Sequence, residues 1–499
     1  MTERFDRRSG VFLHVTALPG EGGIGTLGEP AEAFVDFLAD AEQSLWQVCP
    51  LGPVSGAHGN SPYQSPSAFA GNPLLVDLDR LVEAGWLDEA DLDAVPDLGQ
   101  DQVDFDAVRE YKLPLLREAF ENFESRADEA DREALADFRE EQDWLDDYTL
   151  FVALKDRFDG ALWTEWPEEY RMRDADALAA AREEHAEEIR YQALVQYWFY
   201  DQWHDLRAYA NDNGVELLGD LPIYVALDSA DVWAAPDAFQ LDDQNRPTAV
   251  AGVPPNDGDD GQKWGNPLYD WETLADDDFD WWVDRLGGLL DLVDVVRIDH
   301  VKGFDSYYAI PVDGSPADGH WADAPGHDLF ETVEDELGDL PFVAEDLGFP
   351  DPDLTALLDR FDFPGMKVAY YADWCADDHE HLPHTFPEDT VGYTTTHDTD
   401  TAVGLYDSLS DADRECLEHY LESGREDVQW ALIDAVWRSD AVIAITTMQD
   451  VLGLGSWARF NTPGTAEGNW DWRTRYEHLH EDVSGRLADV TRNRGRVRD

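Results

Sequence analysis

The 499-residue sequence is short of basic residues, and lysine is the scarcest of them. There are 35 Lys and Arg residues against 109 Asp and Glu residues, which gives a formal net charge of −74. Binding nucleic acid requires clustered Lys and Arg, so we expect no such partner. The five lysines are Lys112, Lys155, Lys263, Lys302 and Lys367.

The acidic residues are spread along the whole chain, whereas an acidic interaction surface would gather them in blocks. A large charge of one sign opposes the compact state at low salt. At molar salt the screening length falls to about 3 Å, which removes most of that repulsion. The composition therefore predicts a protein adapted to a salt-rich cytoplasm.

The sequence also lacks a cysteine framework and a long apolar run. Cys49, Cys375 and Cys416 are odd in number, far apart and without a CxxC pair, so we expect neither disulfides nor a zinc site. No apolar segment approaches the length of about 18 residues that a membrane span needs, and the start resembles no signal peptide. We expect a soluble, reduced, cytoplasmic protein without membrane contact.

Eight short apolar runs, each bounded by turn residues, are the main structural signal. Their lengths and β-branched residues favour buried parallel strands. Amphipathic segments such as 29–43 and 191–214 lie between them. This alternation predicts an α/β fold, a (β/α)₈ TIM barrel, with a doubly wound sheet as the alternative. The runs cover residues 11–15, 45–50, 215–221, 293–299, 341–346, 365–371, 390–396 and 441–449.

The runs are unevenly spaced, which predicts one catalytic barrel over residues 1–499 with two insertions. Residues 76–190, acidic and helical in pattern, follow the second run. Residues 226–285, rich in Pro, Gly, Asn and Trp, follow the third. We place both on the C-terminal face, where the long loops of barrels build their sites.

Acidic residues end several of the runs, at strand ends that converge on one mouth of a barrel. They are Asp220, Asp299, Glu345 and Asp398, the last in the pair His397-Asp398. One such acid is usually a helix cap or a loop ion pair, but four converging strand ends predict a site. Clustered carboxylates favour either divalent metal binding or glycoside chemistry. The 19 Trp, 18 Tyr and 22 Phe residues favour sugars, although most of these rings belong in the core.

Two of these acids have surroundings that suit different roles. Arg297 and Asp299 lie two apart in "VVRIDHVKGF" (295–304), so both face the barrel axis, and the cation should lower the pKa of Asp299. Glu345 ends an apolar strand, where desolvation should raise its pKa. Two carboxyl groups whose pKa values are separated in this way are the nucleophile and the acid of a retaining glycosidase. Asp398 would hold sugar hydroxyls or stabilise the developing positive charge.

Seven longer motifs occur in an order that resembles the 4-alpha-glucanotransferase family, also called amylomaltase or disproportionating enzyme. This resemblance implies an α-amylase-clan barrel without a C-terminal β-domain. It also implies transfer of α-1,4-glucan segments from a maltodextrin donor to the 4-OH of an acceptor by a retaining double displacement. The motifs are "GNSPYQSPSAFAGNPLL" (59–75), "GDLPIYVALDSADVW" (219–233), "GQKWGNPLYDW" (261–271), "RIDH" (297–300), "AEDLG" (344–348), "TTHDTDT" (395–401) and "LGLGSWARFNTPGTAEGNW" (452–470).

The resemblance also assigns roles to residues. It implies Asp299 as nucleophile, Glu345 as acid/base and Asp398 as transition-state stabiliser, with Tyr63 stacked on the sugar beside the scissile bond. Residues that would contact or order the sugars are Asp220, Arg297, His397, Trp264 and Asn461. A hydrolytic α-glucosidase or α-amylase and a non-catalytic glucan-binding protein are the alternatives, and retention of all three acids argues against the latter.

One of the departures from the family pattern concerns the loop over the acceptor sugars. The family usually has aromatic residues over the acceptor sugars, where "GVPPNDGDDG" (252–261) has Asp257 and Gly258. We therefore expect weaker acceptor binding and a larger share of hydrolysis.

No cofactor and no metal are expected. "GIGTLG" (23–28) matches a dinucleotide-binding pattern, but the following strand ends in Cys49-Pro50 and offers no acid to a ribose. "HEHLPH" (379–384) lacks the spacing of a helical zinc site, and "NDGDDG" (256–261) fits the general acidity of the chain.

Overall fold

The computed structural model describes residues 4–256, 260–348, 351–465 and 467–498. The strands within these ranges are β1 Arg8–Phe12, β2 Leu45–Gln47, β3 Glu216–Pro222, β4 Ala249–Val253, β5 Gln262–Pro267, β6 Val295–Asp299, β7 Ser306–Pro311, β8 His320–Asp323, β9 Phe342–Ala344, β10 Gly365–Val368, β11 Thr390–Tyr393 and β12 Ile443–Thr447.

The helices of the same ranges are α1 Glu29–Asp40, α2 Leu78–Glu83, α3 Phe105–Arg126, α4 Glu129–Glu141, α5 Leu145–Arg157, α6 Glu168–Arg171, α7 Ala175–Glu184, α8 Ala186–Asp212, α9 Ala230–Ala234, α10 Trp271–Asp276, α11 Asp280–Leu292, α12 Lys302–Asp305, α13 Gly326–Leu337, α14 Pro352–Phe361, α15 Ala402–Ser408, α16 Asp411–Leu421, α17 Val428–Arg438, α18 Met448–Val451 and α19 Glu481–Asn493.

Eight parallel strands form the barrel, in the order β10-β11-β12-β1-β2-β3-β6-β9. A hydrogen bond from Ala344 N to Pro364 O (2.8 Å) joins the two ends of this sheet. The eight strands fall within or beside the eight predicted runs, so the TIM-barrel prediction is confirmed and the doubly wound alternative is wrong.

The two neighbouring strands β1 and β12 are buried along their whole length. Such burial is expected for strands covered on both faces. Gly10 marks the closest approach of β1 and β2, since a Cβ there would lie 2.4 Å from Leu45 O. A side chain at this position would force the two strands apart.

The two predicted amphipathic segments are helical. Helix α1 has Pro30 in its first turn and buries Phe34, Phe37 and Leu38. Helix α8 begins five residues before the predicted start and ends at Asp212, with Asn213 as its C-cap and Gly214 next, in the left-handed region (φ 78°). No helix in the described ranges is both long and apolar enough to cross a membrane.

The chain between β2 and β3 contains α2 to α8, and the chain between β3 and β6 contains α9 to α11 with β4 and β5. Strands β5-β4-β7-β8 form a four-stranded antiparallel sheet that sequence analysis did not predict. The insertion bounds 76–190 and 226–285 stay predictions. Asp257 and Gly258, on which the acceptor-loop expectation depends, lie outside the described residues. After Thr447, the described residues contain no strand, only an isolated bridge between Trp472 and Gln102.

The expectation that the chain has no disulfide is wrong. Cys375, in the segment after β10, forms a disulfide with Cys416 of α16, and their Cα atoms are 5.2 Å apart. Cys49 stays a buried thiol. Sequence spacing could not predict this pair, because the cysteines are 41 residues apart and meet only when the loop folds onto the helix.

Candidate active site

The C-terminal ends of the barrel strands surround a cleft of about 540 Å³. It brings together seven of the nine predicted site residues: Tyr63, Trp264, Arg297, Asp299, Glu345, Asp398 and Asn461. The other two, Asp220 and His397, do not line the cleft. Both are buried behind Tyr63 and contact its hydroxyl.

Arg297 joins two carboxylates at the base of the cleft. It faces Asp220 across the β3–β6 pairing, and its Nη1 donates to both oxygens of Asp220 (2.7 and 2.6 Å). Its Nη2 lies 2.9 Å from Asp299 Oδ1. Burial alone would lower the pKa of Arg297, but these carboxylates reverse the effect and its pKa is raised. The predicted Arg297–Asp299 pair is therefore present, and Asp220 is the partner that completes it.

Tyr63 is held by a chain of hydrogen bonds. Its hydroxyl donates to Asp220 Oδ2 (2.7 Å) and lies 2.8 Å from His397 Nε2. The Tyr63 and His397 rings are nearly parallel, with centroids 5.5 Å apart. Burial and the charge of Asp220 raise the pKa of Tyr63, so its hydroxyl keeps its proton and remains a donor. The ring is thus fixed in one orientation at the cleft wall.

Glu345 follows β9, is partly buried and lines the cleft. Its carboxylate accepts hydrogen bonds from His300 N (2.8 Å) and Leu347 N (3.0 Å). Burial, with the nearby charge of Asp299, outweighs these bonds and raises the pKa of Glu345 to about 7. The predicted rise is confirmed, and this group can both give and take a proton near neutral pH.

Asp398 has the opposite character. It lies 3.3 Å from His397 Nε2 and accepts a hydrogen bond from Asn461 Nδ2 (2.6 Å). Burial would raise the pKa of Asp398, but His397 and Asn461 hold it well below its usual range. Burial likewise opposes protonation of His397, and Asp398 reverses this and raises the pKa of His397. Asp398 is therefore a permanent anion in the cleft.

Sequence analysis missed several aromatic side chains of the cleft. Trp470 packs beside Tyr63, with ring centroids 5.7 Å apart, and His300 meets Trp264 edge to face at 5.0 Å. Tyr371 lines the cleft and stays half exposed. Trp470 and His300 end two of the quoted motifs, which is a signal that could have found them. Tyr371 only ends an apolar run and carries no such signal.

Among the described residues, no group of three or more His, Cys, Asp or Glu side chains is placed to hold a metal ion. The carboxylates of the cleft are instead held by Arg297, by backbone N–H groups and by Asn461. The pKa of Glu345 is raised and that of Asp398 is lowered, a separation that glycoside chemistry requires and metal ligation does not.

A family profile described as 4-alpha-glucanotransferase matches residues 13–479. The 4-alpha-glucanotransferase of Streptococcus pneumoniae serotype 4 is 44% identical over 492 residues, covering 97% of this chain and 96% of its own. The chain belongs to the 4-alpha-glucanotransferase family. The 4-alpha-glucanotransferase of Thermus thermophilus is likewise 44% identical over 492 residues, covering 96% of this chain and 97% of its own.

Solved structures agree with this assignment to the 4-alpha-glucanotransferases. The amylomaltase of Streptococcus agalactiae, solved in complex with acarbose, is 39% identical with a TM-score of 0.95, covering 98% of this chain and 99% of its own. The amylomaltase of Corynebacterium glutamicum has a TM-score of 0.80 at 18% identity, covering 97% and 75%, and shows the fold alone. The chain is thus a glucan transferase on a TIM barrel, and the hydrolytic and non-catalytic alternatives are not supported by its relatives.

Proposed function

We propose that this 4-alpha-glucanotransferase moves α-1,4-glucan segments between maltooligosaccharides through a covalent intermediate on Asp299. Glu345 is the acid/base and Asp398 stabilises the transition state. The observation that carries the proposal is the contrast between two carboxyl groups of one cleft. The pKa of Glu345 is raised to about 7 and that of Asp398 is held low.

In the first step, an oxygen of Asp299 attacks C1 of the donor sugar while the C1–O bond to the leaving chain breaks. Glu345 gives its proton to the leaving oxygen, and the shortened chain departs with a free 4-OH. Positive charge develops on the ring, and the anionic Asp398 stabilises it. The product is a β-glucosyl ester on Asp299.

In the second step, the 4-OH of an acceptor glucan or glucose attacks the same C1. Glu345, now a carboxylate, takes the proton of that hydroxyl, and the Asp299 ester bond breaks. Two inversions restore the α configuration. A pKa of about 7 suits Glu345 to both steps, because each requires the other protonation state.

Sugar binding is assigned to the rings and polar groups around these acids. The aromatic residues Tyr63 and Trp264 line the cleft, and Trp264 is oriented by donating from Nε1 to Gln262 Oε1 (2.8 Å). Arg297 and Asn461 line the cleft, while Asp220 and His397 act by ordering Tyr63, Arg297 and Asp398.

We also propose that residues 76–190 and 226–285 are insertions on the barrel, the second carrying the acceptor loop. Without an aromatic ring at Asp257 and Gly258, water should compete better with the acceptor. An Asp257→Tyr/Gly258→Phe variant should lower the acceptor KM about ten-fold, the equivalent of about 1.4 kcal/mol. An unchanged ratio of hydrolysis to transfer would remove this role from the loop.

The proposed location is a salt-rich cytoplasm, supported by the net charge of −74. The Cys375–Cys416 disulfide weighs against a strongly reducing compartment, because disulfides are rare there.

Product analysis from pure maltotriose tests the proposed function. Transfer yields glucose together with chains longer than maltotriose, whereas hydrolysis yields only shorter chains. The Asp299→Asn variant serves as the inactive control for contaminating glucosidases. A wild-type reaction that forms glucose and maltose without longer chains would contradict the proposal.

A further inference from the structure

One buried carboxylate outside the cleft holds both ends of the loop that carries Asp398. Asp450 lies in α18, directly after the last barrel strand, and is 1% exposed. Its Oδ2 accepts from Thr394 Oγ1 (2.8 Å) and Thr395 Oγ1 (2.6 Å), and its Oδ1 accepts from Ala402 N (2.7 Å). The threonines follow β11 and Ala402 begins α15, so a single side chain closes the loop 396–401.

The threonines extend this connection to the neighbouring strand. Thr394 Oγ1 lies 2.9 Å from Thr446 Oγ1, and Thr395 Oγ1 lies 3.2 Å from Thr447 Oγ1. Thr447 also accepts from Asp450 N (3.3 Å). Asp450 therefore sits in a fully hydrogen-bonded polar patch between the ends of β11 and β12.

This carboxylate has no cationic partner in the described part of the chain. Burial raises the pKa of Asp450, and only hydrogen bonds from Ala402 and the threonines oppose the rise. A buried carboxyl without a cation costs free energy unless its oxygens are well satisfied. An apolar residue in its place would leave Ala402 N and the hydroxyls of Thr394 and Thr395 without this acceptor, so the carboxylate is what ties the two ends of the loop to α18.

A second side chain from the same stretch holds the middle of the loop. Arg459 donates from Nη2 to Asp398 O (2.7 Å) and from Nε to Asn461 O (2.7 Å). Asn461 N in turn donates to His397 O (3.0 Å). Asp398 is thus fixed through its own backbone, as well as through the ends of its loop.

We propose that Asp450 and Arg459 are positioning residues for Asp398. Neither lines the cleft, so neither touches the sugars. Asp450 binds the two ends of the loop 396–401, and Arg459 binds the backbone of Asp398 in its middle. Together they place the Asp398 carboxylate where positive charge develops. This inference rests on the role of Asp398 in the proposed function.

The expected signature is a loss of kcat with little change in KM. Asp398 acts in the transition state, while Tyr63 and Trp264, which bind the sugars, belong to segments that Asp450 and Arg459 do not hold. Misplacing a catalytic group by about 1 Å can cost about 100-fold in rate, so Asp450→Ala should lower kcat by about that factor. Asp450→Asn should restore most of it, because its oxygen can accept from Ala402 N and its amide can donate to the threonine hydroxyls.

The experiment measures kcat and KM for maltotriose, together with thermal melts, for Asp450→Ala, Asp450→Asn and Arg459→Lys. Asp294→Ala is the matched control. Asp294 also caps a barrel strand, accepting from Leu217 N (2.8 Å), but at the opposite end of the barrel. If Asp450→Ala does not fold, Arg459→Lys carries the test, because a single ammonium group cannot donate to Asp398 O and Asn461 O in the geometry of the guanidinium. A kcat loss in Asp450→Ala and Arg459→Lys beyond that of the control, with Asp450→Asn near wild type, supports the proposal, and a loss equal to that of the control overturns it.

A double-mutant cycle with Asp398→Asn separates this inference from the proposed function. Measured with an activated glycosyl fluoride donor, the kcat effect of Asp450→Ala should largely vanish once the Asp398 carboxylate is gone. The same fold-loss in both backgrounds would overturn positioning through Asp398. An Asp398→Asn enzyme with wild-type kcat would instead remove the proposed role of Asp398 itself.

Discussion

Arg297 Nη2 lies 2.9 Å from Asp299 Oδ1, and the two residues end the same barrel strand. The other terminal nitrogen of Arg297 is held by both oxygens of Asp220, so the guanidinium cannot turn away. The orientation of the Asp299 carboxylate in the cleft is therefore fixed by Arg297, which Asp220 holds in place. This rigidity suits a nucleophile that must meet C1 along one line.

Replacing Asp299 by Asn should lower kcat by several orders of magnitude while the fold is retained. The amide is nearly isosteric but too weak a nucleophile to form the glycosyl ester. Initial rates of maltotriose disproportionation and a thermal melt would measure both effects. More than a few per cent of wild-type activity in the purified variant would exclude Asp299 as the nucleophile.

Glu345→Gln should be nearly as harmful with maltotriose but less so with maltotriosyl fluoride. Fluoride leaves without protonation, so the first step no longer needs the acid. The ratio of kcat/KM for the two donors measures this difference. An equal loss on both donors would take Glu345 out of the acid/base role.

Glu345 should also make stability depend on pH. Its pKa is about 7 in the folded chain against 4.5 for an ordinary Glu, so the folded state binds the proton more tightly. Its stabilising contribution is complete below pH 4.5 and is lost as pH rises through about 7. The free energy of unfolding of Glu345→Gln relative to wild type should therefore increase from pH 5 to 8, by up to about 3 kcal/mol.

The measurement is chemical unfolding of both proteins at pH 5, 6, 7 and 8 in the same KCl concentration. Titrating groups that do not interact with Glu345 cancel in the difference. A difference that stays constant over this range would show that Glu345 titrates alike in the folded and unfolded chains.

Folding should require high ionic strength. With a formal charge of −74, self-repulsion at low salt opposes the compact state, and salt screens it. Thermal melts in a KCl series should show a Tm that rises steeply toward molar salt. The same series in sucrose at matched osmolality is the control, since it adds no screening. A Tm independent of KCl would contradict adaptation to salt.

Removing the disulfide by Cys375→Ser/Cys416→Ser should destabilise the chain. Closing a loop of 41 residues removes unfolded-state entropy worth about 4 kcal/mol by the chain-entropy model. Dithiothreitol should lower the Tm of the wild type but not that of the double variant. Three titratable thiols in denaturant without reductant, rather than one, would show that the bond does not form.

The sequence was sufficient for the barrel and for the base of the site. Strands buried on both faces appear as short apolar runs between turns, and all eight runs became barrel strands. The two-residue period of a strand predicted that Arg297 and Asp299 share a face, and their ion pair follows from it. The apolar run before Glu345 predicted its raised pKa, because a carboxyl group at the end of a buried strand is partly removed from water and its charged form is disfavoured. The roles of Tyr63, Trp264 and Asn461 came only from the family resemblance.

Only the tertiary structure decided which segments, far apart in the chain, contact each other. Tyr63 and His397, from two loops, meet Asp220 of β3 in one hydrogen-bond chain, and Asp450 of α18 binds the ends of the loop that contains His397. The Cys375–Cys416 bond and the small antiparallel sheet are of the same kind. Local periodicity reports which face of an element is buried, but not which distant side chain it meets, because that depends on how the intervening loops pack.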